Sequence, residues 1–95
     1  MIIETPYKNG DTVSIKLMSG EEVVARLEEE TATGVKVKHP MMLVANQQGV
    51  GLGPFMFTVS NEASFNLKNG AILCIAKTEK EMATQYVQTT TGLTI

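Results

Sequence analysis

Tryptophan is absent from this chain, and cysteine, histidine and aspartate each occur once, as Cys74, His39 and Asp11. A lone cysteine excludes an intramolecular disulfide; flanked by Leu73 and Ile75, it reads as a small strand residue in a reducing compartment. One histidine and one cysteine on different segments lack the ligand spacing of a metal site, so no metal and no cofactor are expected. His39, before Pro40, reads as a strand residue. With little acid–base inventory beyond glutamates, the chain reads as a non-enzyme. Long apolar runs are also missing: none approaches the ~18 residues that span a bilayer. The first residues, Met1-Ile2-Ile3-Glu4-Thr5-Pro6, carry neither the basic segment nor the apolar stretch of a signal peptide. A soluble, cytoplasmic protein is the expectation.

Charge is nearly balanced at -2, which argues against a protein that coats nucleic acid over its whole surface but leaves room for a local basic rim. Acids cluster at Glu21, Glu22 and Glu28-Glu29-Glu30, while lysines are spread along the chain, a distribution that predicts one acidic face and one basic face. The glutamate run reads as solvated strand-end charge. Gly49, Gly51 and Gly53 lack the following lysine and helix of a phosphate-binding loop.

What is present is alternation. Val13, Ile15 and Leu17 face one way and Ser14, Lys16 and Met18 the other, which predicts a half-buried strand. Ser19-Gly20 turns the chain, and Val23, Ala25 and Leu27 continue the same apolar face. Val24 is an apolar exception on the outward side that a neighbour must cover. Val35 and Val37 alternate with Lys36 and Lys38; Pro40 then bends the strand, because proline donates nothing to a sheet ladder. Residues 46–53 read as loop, Phe55, Phe57 and Val59 as a further alternation, and residues 60–62 as a turn. Asn69-Gly70 is the strongest signal for a two-residue hairpin. At the end, Thr78 and Glu81 fit a capping box, Met82, Ala83, Tyr86 and Val87 fall at helical spacing, and Gly92 is placed to close the helix.

Ninety-five residues make one domain. Short strands with polar turns predict an all-β fold over 1–95: a small, strongly bent barrel over about 12–77 with a C-terminal helix over about 79–90. A core this small gains from oligomerisation.

Two stretches carry a family resemblance. The layout Leu17, Gly20, Val23, Ala25, Leu27 resembles the first half of an Sm motif, and Leu67, Asn69, Gly70, Ile72, Ile75 resembles the second half. Together the pattern is similar to small Sm-like proteins of cyanophage and marine phage origin. The resemblance implies a five-stranded Sm-like (SH3-like) barrel, here with an extended connection between its third and fourth strands. It further implies a homo-oligomeric ring in which Phe65 and Leu67 of one subunit pair with the strand holding Ile72 and Cys74 of the next. Nucleic acid, RNA or single-stranded DNA, would be bound without catalysis, as in RNA or DNA processing. Lys68, Asn69, Gly70, Lys36, Lys38, Thr31 and Thr33 are the candidate contacts, with the 31–34 loop shaping the site. The family's acid, stacking ring and asparagine have no counterpart in that loop, nor does its arginine beside Gly70. A ring or phage assembly adaptor that binds protein alone is the alternative. No membrane and no small-molecule substrate are expected.

Overall fold

The computed structural model describes residues 6–60 and 62–91. The first alternating segment is β1 (Thr12–Leu17), joined to β2 (Glu22–Glu30) by a turn in which the Gly20 amide donates to the Leu17 carbonyl at 2.9 Å. Gly20 has φ +106°, a left-handed conformation that favours glycine. Next come β3 (Gly34–Asn46), β4 (Gly49–Pro54), β5 (Ser64–Lys68), a 3₁₀ turn (Asn69–Ala71), β6 (Ile72–Lys77) and the helix α1 (Lys80–Thr91). The fold is all-β with one short helix. Its antiparallel sheet has six strands in the order β4-β3-β2-β1-β6, with β5 also on β3, and it is not closed.

The core follows the alternation. Val13, Ile15, Leu17, Val23, Ala25, Leu27, Val35 and Val37 are buried in one cluster. Burying a side chain of this size contributes about 1.5–3 kcal/mol. Phe65 and Leu67 of β5 stand opposite Val37 and Val35 and pack on the same cluster, as do Ile72 and Ile75 of β6. Bulges bend the sheet around this core, between Val24 and Arg26 and between Leu27 and Glu29 of β2, and between Lys16 and Leu17 of β1.

Val24 is also fully buried, but on the opposite face, in a row with Ser14 and Met41. α1 lies over that face. Tyr86 is buried, and its hydroxyl reaches the carbonyls of Lys38 (3.1 Å) and His39 (2.8 Å). Thr78 leads into the helix and is anchored to β1 by a 2.8 Å hydroxyl–hydroxyl bond with Ser14.

Several expectations change. Thr78 is not the helix cap, because its hydroxyl is engaged by Ser14; Glu79 takes that place, accepting from the amides of Met82 (2.7 Å) and Glu81 (3.2 Å). Residues 46–53 are not loop. β4 forms a hairpin with β3, closed by Gln48 donating to the Asn46 side chain (2.8 Å) and by Gly49 at φ +124°. The strand anticipated at Phe55, Phe57 and Val59 does not form, and Phe57 is 84% exposed. Asn69-Gly70 is not a hairpin tip, because β5 and β6 pair with β3 and β1 and not with each other. Cys74 is exposed: it sits on β6 across from Lys16, on the outward side of the strand. Gly92, Asn61 and the first five residues lie outside the described residues.

β3 holds the fold's most constrained backbone. His39 has φ +51°, unusual for a residue with a side chain and costing about 1–2 kcal/mol, and it precedes the buried Pro40. Tyr86 ties that bend down. Burial pushes its phenol up to about 12, with Arg26 pulling the other way. The native state therefore holds this proton more tightly than the unfolded chain, whose tyrosine ionises near pH 10. Stability should be level with respect to this group below pH 10 and fall between about pH 10 and 12. In Tyr86→Phe that alkaline loss should vanish, while stability at neutral pH drops by about 1–3 kcal/mol as two carbonyls lose their donor. Denaturant unfolding across pH measures both.

Candidate nucleic-acid interface

The structure brings together two segments that are far apart in sequence, residues 31–34 and Asn69. Thr31 organises its own turn: its hydroxyl donates to the Gly34 carbonyl (3.1 Å) and accepts from the amides of Thr33 (3.3 Å) and Gly34 (3.2 Å), with the Thr33 hydroxyl 3.5 Å away. The Asn69 amide then donates to the Thr33 carbonyl at 2.9 Å, and the Asn69 side chain donates to the Ala32 carbonyl at 3.2 Å. The asparagine is therefore a clamp between the loops, with its side-chain oxygen left to accept. It does not have positive φ.

Gly34 makes the close approach possible. A Cβ at this position would stand 2.1 Å from the Leu67 carbonyl oxygen, which is backbone and has nowhere to go. Its role is this contact with β5.

Beside the clamp lies a row of polar side chains on the face opposite the core. Lys36 and Lys38 alternate with buried Val35 and Val37, and β5 presents Lys68, Asn66 and Ser64 against Gly34, Lys36 and Lys38. Lys68, Asn69 and Gly70 are exposed; Lys36 and Lys38 are half-buried. The row is not purely basic: carboxylates are interleaved with its lysines. Glu29 stands across from Lys36, and Glu62 lies 3.9 Å from Lys38. Glu28 accepts from the Ser64 hydroxyl at 2.5 Å. That bond holds the Glu28 carboxyl below the usual carboxylate range; desolvation opposes it, and Lys38, Lys36 and Arg26 reinforce it. Lys68 and Asn69 sit at the end of the row, clear of these carboxylates.

No family model matches this chain, and no curated protein matches it either.

The four residues expected at a subunit boundary divide by orientation. Phe65, Leu67 and Ile72 turn their side chains toward the core, whereas Cys74 is exposed; outward, β5 presents Ser64, Asn66 and Lys68, and β6 the exposed Leu73 beside Cys74. Among the described residues, no group of three or more His, Cys, Asp or Glu could hold a metal ion, and no helix is long and apolar enough to cross a membrane.

Sequence reasoning missed a cavity of about 310 Å³ at the far end of the lysine row, lined by residues 54–56, Val59, Ser60, Glu62 and Phe65 on one side and by Thr89 and Thr90 of α1 on the other. One signal for it was available: from Met41 to residue 61 the chain carries no charged side chain, yet it includes Phe55, Met56 and Phe57. It also missed that the Tyr86 hydroxyl fixes the backbone of Lys38 and His39, because helical spacing reports which face is apolar and not what a hydroxyl meets.

The clamp predicts a large effect from a small change. Gly34→Ala should destabilise the fold by roughly 3 kcal/mol, since the new methyl group meets the β5 backbone at Leu67 and Lys68. Gly51→Ala, where nothing lies within 4 Å, should stay within about 0.5 kcal/mol. Thermal or urea unfolding of the two variants separates these outcomes.

Proposed function

We propose that this chain is a non-catalytic Sm-like barrel subunit that assembles with copies of itself into a ring and binds single-stranded nucleic acid, RNA in the first instance. The observation that carries this reading is the junction of the 31–34 loop with Asn69 at the end of the lysine row. Lys36, Lys38 and Lys68 supply charge for phosphates, and the free Asn69 oxygen and the Thr31 and Thr33 hydroxyls supply polar contacts. With no aromatic ring at the junction, recognition there rests on the backbone of the nucleic acid more than on its bases. Such binding is salt-sensitive and only weakly selective.

The ring is supported by the free edges. Among the described residues, β5 pairs only with β3 and β6 only with β1, so each has one edge whose amides and carbonyls lack a strand partner there. Pairing β5 of one copy with β6 of the next satisfies both edges and repeats around a closed ring.

A protein-binding ring without nucleic acid is the second reading. It is favoured by the uncharged 41–60 segment, where Val44, Val50, Met56, Phe57 and Val59 are exposed.

A salt titration of labelled single-stranded RNA and DNA, with mass read by light scattering on the same sample, tests the proposal. A multimeric mass should accompany an affinity that falls steeply as salt rises. Lys36→Ala and Lys68→Ala should each weaken binding across all sequences and lower the log–log salt slope by about 0.7, the value for one lost phosphate contact on a single strand. A multimer that retains no oligonucleotide would favour the second reading, and a monomer would remove the ring.

A further inference from the structure

The bend in β3 divides one edge of that strand between two neighbours. β5 covers Gly34 to Lys38 and β4 covers Met41 to Asn46, leaving a gap at His39 and Pro40. β4 stands at one end of the sheet, and among the described residues no strand pairs with its outer edge. The hairpin register decides what that edge offers. Bonded and non-bonded pairs alternate along an antiparallel ladder. Asn46 and Gly49 close the two-residue turn as a bonded pair, so Gly51 and Gly53 also bond to β3, and the N–H and C=O groups of Val50 and Leu52 point outward. Pro54, which has no N–H to give β3, falls in the same outward phase.

This edge lacks the features that keep exposed strands apart. β5 and β6 each carry a lysine, Lys68 and Lys77, whereas β4 carries no charge, and none occurs from Met41 to Ser60. Its ladder with β3 has no bulge, and Pro54 blunts only its end. Val50 and Leu52 share one side-chain face, Val50 exposed and Leu52 half-buried. What such an edge accepts is another extended strand, and β4 is complementary to itself. In an antiparallel pair centred on Gly51, Val50 of each copy exchanges backbone hydrogen bonds with Leu52 of the other, their side chains meet, and no like charges are opposed. Gly51 suits the centre. Its φ is not positive and a Cβ on it would meet nothing within 4 Å, so the subunit's own fold does not require glycine there. Across the pair the two Gly51 Cα atoms would stand about 4.5 Å apart, the kind of close backbone approach that a glycine inside a strand marks.

We propose that β4 is a self-association edge: two copies of this chain join β4 to β4, antiparallel, about a two-fold axis at Gly51, and the sheet runs on through the contact. The same patch serves both copies, so the contact closes on itself and stops at two. It uses neither the lysine row nor the free edges of β5 and β6, and so stands independently of the nucleic-acid and ring readings.

The test is mass by light scattering over a concentration series, without nucleic acid, for the unmodified chain, Gly51→Lys and Gly51→Glu. Both substitutions enter open space in the subunit and set like charges opposite each other across the two-fold. Each variant alone should have half the mass of the unmodified chain, and an equal mixture of the two should regain the full mass, because lysine then faces glutamate. The halving supports the β4 pair whether the half is a ring or a single chain, and the size of that half judges the ring separately. Amide hydrogen exchange of the unmodified chain provides a readout that needs no variant: on dilution the Val50 and Leu52 amides should exchange faster, while those of Gly51 and Gly53, bonded to β3, should not. A mass unchanged by both substitutions, a mixture that stays at half mass, a chain that is monomeric at every concentration, or Val50 and Leu52 exchange that ignores dilution would overturn the proposal.

Discussion

The bend in β3 at His39 and Pro40 is the constraint on which the remaining architecture depends, and the Tyr86 hydroxyl holds it. Without the bend, β3 would present one straight edge to a single neighbour. With it, the first half of the strand pairs with β5 while the second half carries β4 away as a hairpin. The Tyr86 hydroxyl, its one proton shared between the carbonyls of Lys38 and His39, does three things at once: it satisfies backbone at an irregular point, seats α1 on the sheet, and places the end of α1 beside the gap. An unfavourable backbone conformation at His39 thus persists because the packing around it determines it fully.

The same geometry brings the polar features into one line. Lys36 and Lys38 lie on the first half of β3, on the face away from the core, and Lys68 lies beside them on β5. The loop clamp of Thr31, Gly34 and Asn69 terminates the line at one end, and the cavity with Glu62 terminates it at the other. Carboxylates are interleaved with the lysines instead of gathered on another face. Any polyanion on this row therefore meets Glu28, Glu29 and Glu62 as well as the lysines, which sets a ceiling on affinity and a premium on correct register.

Much of this was legible in the sequence, for reasons that can be named. Period-two alternation at Val13–Ile15–Leu17, Val23–Ala25–Leu27 and Val35–Val37 reports burial directly, and all eight residues are in the core. Helical spacing of Met82, Ala83, Tyr86 and Val87 likewise matches the half-buried or buried side of α1. The apposition of residues 31–34 with Asn69 came from family resemblance, since no local pattern encodes a contact across more than thirty residues. What failed depended on partners. Thr78 has the residue type of a cap, but Ser14 takes its hydroxyl. Asn69-Gly70 has the composition of a hairpin tip, but its flanking strands belong to opposite ends of the sheet. Gly49, Gly51 and Gly53 look like loop because the hairpin they form depends on backbone pairing with β3, to which side-chain pattern contributes little. Cys74 has the residue type of a small packed strand position, but the outward phase of β6 exposes it.

The proposed nucleic-acid interface is the outward side of β3 and β5, from the loop clamp to the cavity. Amide hydrogen exchange of the protein, free and saturated with single-stranded RNA, reads this most directly. The account predicts slowed exchange in segments 31–39 and 62–70, with the 43–54 hairpin unaffected. Slowing confined to the 43–54 hairpin, or no change at saturation, would contradict it.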